Sequence, residues 1–308
     1  MNIIAIDHGF SQMKTPQHVF TSGINEAAIG LPSFMDILHF NGINYQVGGK
    51  RINHNRDKTV NDDYYLLTLA AITREIKSRK LPADGAVHLT VGLPLMDYQR
   101  DYMAFSHYLK RDGKPVYFKY DNAAYQISIE KVSCYVQGYA AIVKEWEQGR
   151  LNDEEPVCAV VDVGGWTTDT FVMIEGNPQT ESMISHEIGM IDLFNRIQQK
   201  VQSQTGSTIQ DAHIKHHLLG KATRLVLPIK QIIEEECRQY AAFLLGKLSE
   251  TKIDIQNMPL IFLGGGALLL RPYLTEHIDP DMLDFIDDLH ANVKGYEVLA
   301  NAAESQEY

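Results

Sequence analysis

The stretch Ala159-Val160-Val161-Asp162-Val163-Gly164-Gly165-Trp166-Thr167-Thr168-Asp169 decides how the rest of the chain reads. An apolar run ends in a carboxylate, turns on two glycines, and leaves through two threonines and a second carboxylate. Short apolar runs that stop at a turn signal are buried strands. Glycine at such a turn lets backbone N–H groups approach an anion closely, and flanking carboxylates suit a hydrated cation beside it. A hairpin that served only as a turn would rarely need two hydroxyls between two acids. The same design opens the chain as Ile3-Ile4-Ala5-Ile6-Asp7-His8-Gly9-Phe10-Ser11-Gln12-Met13-Lys14. By itself that copy reads as a plain hairpin turn with a solvated lysine. Paired with the second copy, about half a chain away, it marks a duplicated α/β domain.

A third element, Pro259-Leu260-Ile261-Phe262-Leu263-Gly264-Gly265-Gly266-Ala267, is a buried strand, three glycines and the start of a helix. Backbone without side chains can pass beneath a flat base or a ribose. Around these elements, strands are expected at 3–6, 19–21, 37–40, 45–47, 87–91, 116–119, 126–132, 157–161, 169–174 and 260–263. Helices are expected at 62–80, 97–109, 139–149, 188–201, 228–248 and 291–302, from apolar residues at helical spacing. The polar, acidic stretch Leu151 to Pro156 reads as a domain boundary. The expected division is one domain over 1–152, with 286–308 returning to it, and a second over 153–285.

Lys and Arg number 28 against 39 Asp and Glu in 308 residues, a formal net charge of −11. That sign repels a phosphate backbone, so direct nucleic-acid binding is not expected. The longest apolar runs fall far short of the ~20 residues a membrane helix needs, and no membrane association is expected. The N-terminal run reads as a first strand rather than a leader. Three cysteines without paired spacing are expected to be reduced thiols in a cytoplasmic protein.

The order Asp7–Lys14, Asp162–Asp169, Leu260–Ala267 resembles the actin-like ATPase superfamily, which also holds the DnaK-type chaperones and sugar kinases. Two further segments match its connecting helices: Tyr135-Val136-Gln137-Gly138-Tyr139-Ala140 and Ala291-Asn292-Val293-Lys294-Gly295-Tyr296. Within it the chain looks most like bacterial ParM-type plasmid-segregation actins and their archaeal actin-like relatives. His8 in the first loop and Trp166 in the second depart from the family pattern.

The resemblance implies duplicated actin-like (ribonuclease H-like) domains with ATP or ADP in a cleft between them. It implies nucleotide contacts from Asp7, Gly9, Phe10, Ser11, Gln12 and Lys14, and from Asp162, Gly164, Gly165, Trp166, Thr167 and Thr168. Gly264, Gly265, Gly266 and Ala267 would lie under the nucleoside. Asp7 and Asp162 would hold Mg²⁺ through its waters, Asp162 and Gln137 would act in catalysis, and Gln137 would position the attacking water. The implied function is a filament-forming ATPase that assembles head to tail with copies of itself. Its DNA cargo would be reached through a DNA-binding adaptor protein. A small-molecule kinase of the same fold stays open as the alternative, although no substrate-side aspartate motif is evident. A chaperone is not expected, because the chain ends soon after the second connecting helix. His213-x-x-His216-His217 and Glu234-Glu235-Glu236 read as exposed helix faces, and Lys110–Lys114 as a loop.

Overall fold

β1 (Asn2–His8) sends Ile4 and Ile6 into one apolar cluster and Ala5 into another, because successive side chains of a strand face opposite ways. The computed structural model describes residues 1–27, 36–53, 55–151, 155–251 and 253–306. The chain divides into two compact units, one of Met1–Leu151 with His290–Tyr308 and one of Asn152–Leu289.

In the first unit β1 is followed by β2 (Gln12–Lys14), β3 (Val19–Thr21), β4 (Ile24–Glu26), β5 (Ile37–Phe40) and β6 (Ile43–Val47). Then come α1 (Asp63–Arg79), β7 (Asp84–Leu93), α2 (Leu95–Lys110), β8 (Val116–Tyr120), β9 (Ala123–Val136) and α3 (Tyr139–Glu147). The nine strands order as β3-β2-β1-β7-β9-β8-β5-β6-β4. Ile4 and Ile6 share one apolar cluster with Leu66 and Ile72 of α1 and Phe105 and Leu109 of α2. α1 is buried at nearly every residue from Tyr64 to Ile76, so the single stripe of Leu66, Leu69, Ile72 and Ile76 understates how much of it lies in the core.

The second unit runs β10 (Val157–Val163), β11 (Thr168–Ile174), β12 (Asn177–Pro178), β13 (Ile184–His186), α4 (Met190–Thr205), α5 (Asp211–Leu218) and α6 (Leu227–Ser249). It closes with β14 (Leu260–Leu263), α7 (Gly264–Leu274) and β15 (Leu283–Phe285). Its sheet orders as β12-β11-β10-β14-β15, with β13 beside β11. Ala159, Val161 and Val163 pack against Leu193 and Ile197 of α4, Cys237 and Leu244 of α6, and Leu270 of α7. Residues 286–289 group with this unit, and the N–H of Ile286 donates to the Phe262 carbonyl at 2.9 Å.

The two openings are built alike. β1 pairs antiparallel with β2 and parallel with β7, and β10 pairs antiparallel with β11 and parallel with β14. Both Asp-x-Gly turns therefore sit at the carboxyl ends of central parallel strands, where open α/β sheets present their sites.

The last helix, α8 (Ala291–Gln306), belongs to the first unit. It joins Ala5 and Ala140 of α3 in a small cluster through Val293 and Tyr296, so the sheet carries helices on both faces. A methyl group at Gly295 would stand 1.9 Å from the Ala140 carbonyl oxygen, and one at Gly92 would stand 1.9 Å from Tyr296 Oη. Only glycine lets α8 lie this close to α3 and β7. The segment 135–140 is not one helix. Tyr135 and Val136 pair with Gly92 and Leu93 as the end of β9, and Gly138 turns the chain at φ +77° before α3 begins.

All three cysteines are free. Burial pushes the thiols of Cys134 and Cys237 up to about 12 and that of Cys158 up to about 11, so they act as packing residues rather than nucleophiles. Among the described residues no helix is long and apolar enough to cross a membrane.

Gly295→Ala is expected to force α8 off α3 and cost at least about 2 kcal/mol in thermal unfolding. Gly246→Ala, on an exposed turn of α6 with open space around it, is expected to be neutral or to stabilise by up to about 1 kcal/mol. Equal effects would contradict the close crossing.

Candidate functional site

Asp7, at the end of β1, is only 2% exposed. Its Oδ2 accepts from Lys14 Nζ at 3.1 Å across the β1–β2 pair, and its Oδ1 accepts from Gln137 Nε2 at 2.7 Å. A carboxylate only accepts, so the Gln137 amide must turn its NH₂ to Asp7. Its carbonyl oxygen is then left to accept from another group.

The loop from Gly9 to Gln12 is fastened from behind. Lys58 Nζ donates to the His8 carbonyl at 2.6 Å, Ser22 Oγ to the Gly9 carbonyl at 2.6 Å, and Ser22 N–H to the Ser11 carbonyl at 3.2 Å. Peptides are planar and trans, so a carbonyl held on one side turns the following N–H to the other. A methyl group at Gly9 would stand 2.6 Å from the Gln12 carbonyl oxygen, which explains the glycine. The Phe10 ring lies over Lys58 Nζ at 4.7 Å. His8 leaves the loop altogether: its side chain is fully buried, edge-on to Phe105 at 5.2 Å, with Nε2 2.8 Å from Thr68 Oγ1.

In the second unit the Gly164 N–H donates to the Thr167 carbonyl at 2.9 Å and closes the turn. The carbonyls of Gly164 and Gly165 accept from Met190 and Ile191 N–H, the first groups of α4, at 3.1 and 2.9 Å. A methyl group at Gly189 would collide with this loop, 2.7 Å from the Gly165 carbonyl oxygen. The Thr167 hydroxyl donates to Asp169 Oδ2 at 3.3 Å. Thr168 is 1% exposed and its hydroxyl donates to the Ile188 carbonyl at 2.7 Å, so it fastens the loop and does not face a ligand. Trp166 is partly exposed at the tip.

Asp162 and Asp169 are direct cross-strand partners, 9% and 5% exposed. Like charges placed opposite each other repel, and a divalent cation relieves them. Among the described residues no three His, Cys, Asp or Glu side chains gather into a metal cage. This donor set fits a hydrated Mg²⁺ held through carboxylates and ligand oxygens.

The glycine triplet forms the first turn of α7 itself. Methyl groups at Gly264 and Gly266 would stand 2.4 Å from Asp162 Oδ1 and 2.5 Å from Val163 Cγ1. These two glycines bring the amino end of a helix, its positive pole, against Asp162 and β10. Gly265 meets only Leu289 Cδ2 at 3.6 Å and remains the glycine with space beside it. Ala267 is wholly buried in the core and makes no part of a binding surface.

The histidine run on α5 is local structure: His213 closes a capping box with Gln210, and His217 Nε2 lies 3.1 Å from Glu234 Oε1. In the 110–114 cluster, Arg111 pairs with Asp62 at 2.6 Å and Lys114 with Asp112 at 3.1 Å. Lys58 and Ser22 were not foreseen from sequence, because single polar residues in a polar stretch carry no pattern.

Two copies of one strand–loop–strand unit, each ending in a buried aspartate, define the two-domain actin-like fold. Family models divide the chain accordingly: "Actin like proteins N terminal domain" matches residues 5–139, and "Archaeal actin homologue MreB-like, C-terminal" matches 160–276. Each half of the chain thus resembles the corresponding half of an actin-like protein. The archaeal actin homologue Ta0583 superposes with a TM-score of 0.80 at 19% identity, covering 98% of this chain and 100% of that one. A 15-stranded ParM filament from Clostridium botulinum gives 0.79 at 21% identity with the same coverage, and apo pSK41 ParM gives 0.70 at 20% over 99% and 98%. Ta0583 has also been solved in complex with ADP, and that structure gives 0.79 at 19% identity, again over 98% and 100%. At these identities the likeness shows the fold. No match was found among curated protein sequences.

Burial, and then the charge of Lys58, hold the His8 imidazole well below its usual range. The unfolded chain takes up a proton near pH 6.5 that the folded chain refuses, so stability present above that pH is lost as pH falls below it. Between pH 7.5 and 5.5 the wild type is expected to lose about 1.4 kcal/mol more than His8→Phe in urea unfolding. Equal losses would contradict a buried neutral imidazole.

Proposed function

We propose that the chain is an ATP- and ADP-binding actin-like protein that hydrolyses ATP and assembles head to tail into filaments. The observation that carries this is the pair of loops, each with carbonyls drawn back and a buried aspartate at its root. Backbone N–H groups of Gly9, Phe10, Gly165 and Trp166, with the Ser11, Gln12 and Thr167 side chains, are assigned to the nucleotide phosphates. Lys14 adds a cation, and Gly265 is the glycine of its triplet assigned to the nucleoside.

Asp7 and Asp162 are assigned to the waters of a bound Mg²⁺, which supplies charge neutralisation at the phosphates. Gln137, held through its NH₂ by Asp7, keeps its carbonyl oxygen to accept from the attacking water and orient it. An amide cannot serve as a strong base; phosphoryl transfer depends on positioning and electrostatics, which this arrangement supplies. Heterologous self-contacts give open filaments when the rotation between copies does not close. The likeness to a ParM filament structure supports self-assembly. Plasmid or other DNA segregation is the finer reading. With a net charge of −11, DNA would be engaged through a basic adaptor protein and not by the chain itself.

The test is sedimentation of the purified chain with Mg-ATP, with Mg-ADP and without nucleotide. Pelleting with Mg-ATP above a critical concentration is expected, without co-sedimentation of bare DNA at physiological salt. No assembly, together with ATP-dependent phosphorylation of a small alcohol, would favour the kinase. Asp162→Ala is expected to abolish hydrolysis. Gln137→Ala is expected to slow it by about 10²-fold while nucleotide affinity stays near wild type; unchanged turnover would remove Gln137 from the mechanism.

A further inference from the structure

We infer that Lys58 is a positioning residue for the first phosphate loop, holding the His8 carbonyl one position ahead of the pair, Gly164 and Gly165, that the amino end of α4 holds in the second. The inference rests on the nucleotide-binding reading above.

In the second loop, two consecutive carbonyls are drawn back by helix N–H groups, those of Met190 and Ile191. In the first loop, two consecutive carbonyls are drawn back by side chains: His8 by the Lys58 ammonium and Gly9 by the Ser22 hydroxyl, each at 2.6 Å. The amino end of a helix bears a partial positive charge, and the ammonium bears a full one. Each half thus sets positive charge behind its loop carbonyls. That polarises the peptide and strengthens the N–H on its far side as a donor to an anion. In the first loop the affected N–H is that of Gly9.

The burial of Lys58 makes sense on this account. The residue is 5% exposed, and a buried ammonium is costly unless it is compensated. Compensation comes from the His8 carbonyl and from the faces of Phe10, Tyr64 and Phe105, at 4.7, 5.6 and 6.0 Å from Nζ to the ring centroids. Phe10 belongs to the loop itself, so one side chain grips it at both a carbonyl and a ring. Lys58 reaches the loop from the wall of a cavity of about 700 Å³, which Arg51, Asn55 and Val60 also line.

The experiment compares wild type, Lys58→Met, Lys58→Gln and Lys58→Arg by titration with Mg-ADP and with adenosine, after melting curves establish folding. Lys58→Met is expected to weaken Mg-ADP by about tenfold, the loss of one charge-assisted contact in the phosphate cradle. Adenosine affinity is expected to stay at the wild-type value, because the effect lies at the phosphates. Lys58→Gln, which keeps a donor but no charge, is expected to fall between wild type and methionine. Lys58→Arg is expected to restore most of the affinity. Wild-type ADP affinity in both Lys58→Met and Lys58→Gln overturns the inference. So do equal losses for ADP and adenosine, which mark a merely structural role. If Lys58→Met does not fold, Lys58→Gln carries the same comparison. Absence of ADP binding in the wild type would instead overturn the nucleotide reading itself.

Discussion

Both oxygens of Asp7 are engaged inside the first unit, one by Lys14 and one by Gln137. This buried carboxylate ties the end of β1, the return strand β2 and the β9–α3 junction into one rigid corner. Charge-assisted hydrogen bonds of this kind are worth about 1.5–3 kcal/mol each, but their larger effect is directional. They fix which end of the Gln137 amide faces the carboxylate and which end faces away. The junction is held in turn by α8: Asn292 Oδ1 accepts from the Gly138 N–H at 2.7 Å, and Gly295 lets the helix lie against Ala140. The last helix of the chain thereby sets where Gln137 stands relative to a residue near its beginning.

The two halves share a backbone plan and differ in charge. The position opposite the root aspartate is Lys14 in the first hairpin and Asp169 in the second. One hairpin is therefore neutralised internally and presents a cation, while the other concentrates negative charge against the amino end of α7. The charge that each hairpin sets beside its root aspartate is thus opposite in sign, a lysine in the first and a carboxylate in the second. Loop support diverged as well, with side chains behind one loop and a helix terminus behind the other.

Much of this was legible in the sequence, for physical reasons. Strands ending in Asp-x-Gly are short, wholly buried and bounded by obligatory glycines, so both root aspartates stood out. The glycine triplet was equally visible, but its use was not. Gly264 and Gly266 answer to the side chains of Asp162 and Val163, contacts that only the fold brings together. Thr168 and Ala267 sit inside motifs and turn inward, because strand and helix periodicity overrides motif membership. His8 is unusual within its loop as a sequence, yet it is a core residue that strand alternation points away from the loop. The segment 135–140 reads as helix from its composition, whereas pairing with β7 keeps its first two residues extended. Lys58 and Ser22 were invisible because their roles depend on backbone carbonyls far away in the chain.

The proposed reading turns on each loop presenting its outward N–H groups to nucleotide phosphate. Amide hydrogen exchange with and without Mg-ATP, under conditions that keep the chain monomeric, tests it most directly. Protection of residues 9–12 and of residues 164–167 on adding Mg-ATP is the predicted result. Protection confined to one loop, or absent from both while nucleotide is bound, would contradict the account.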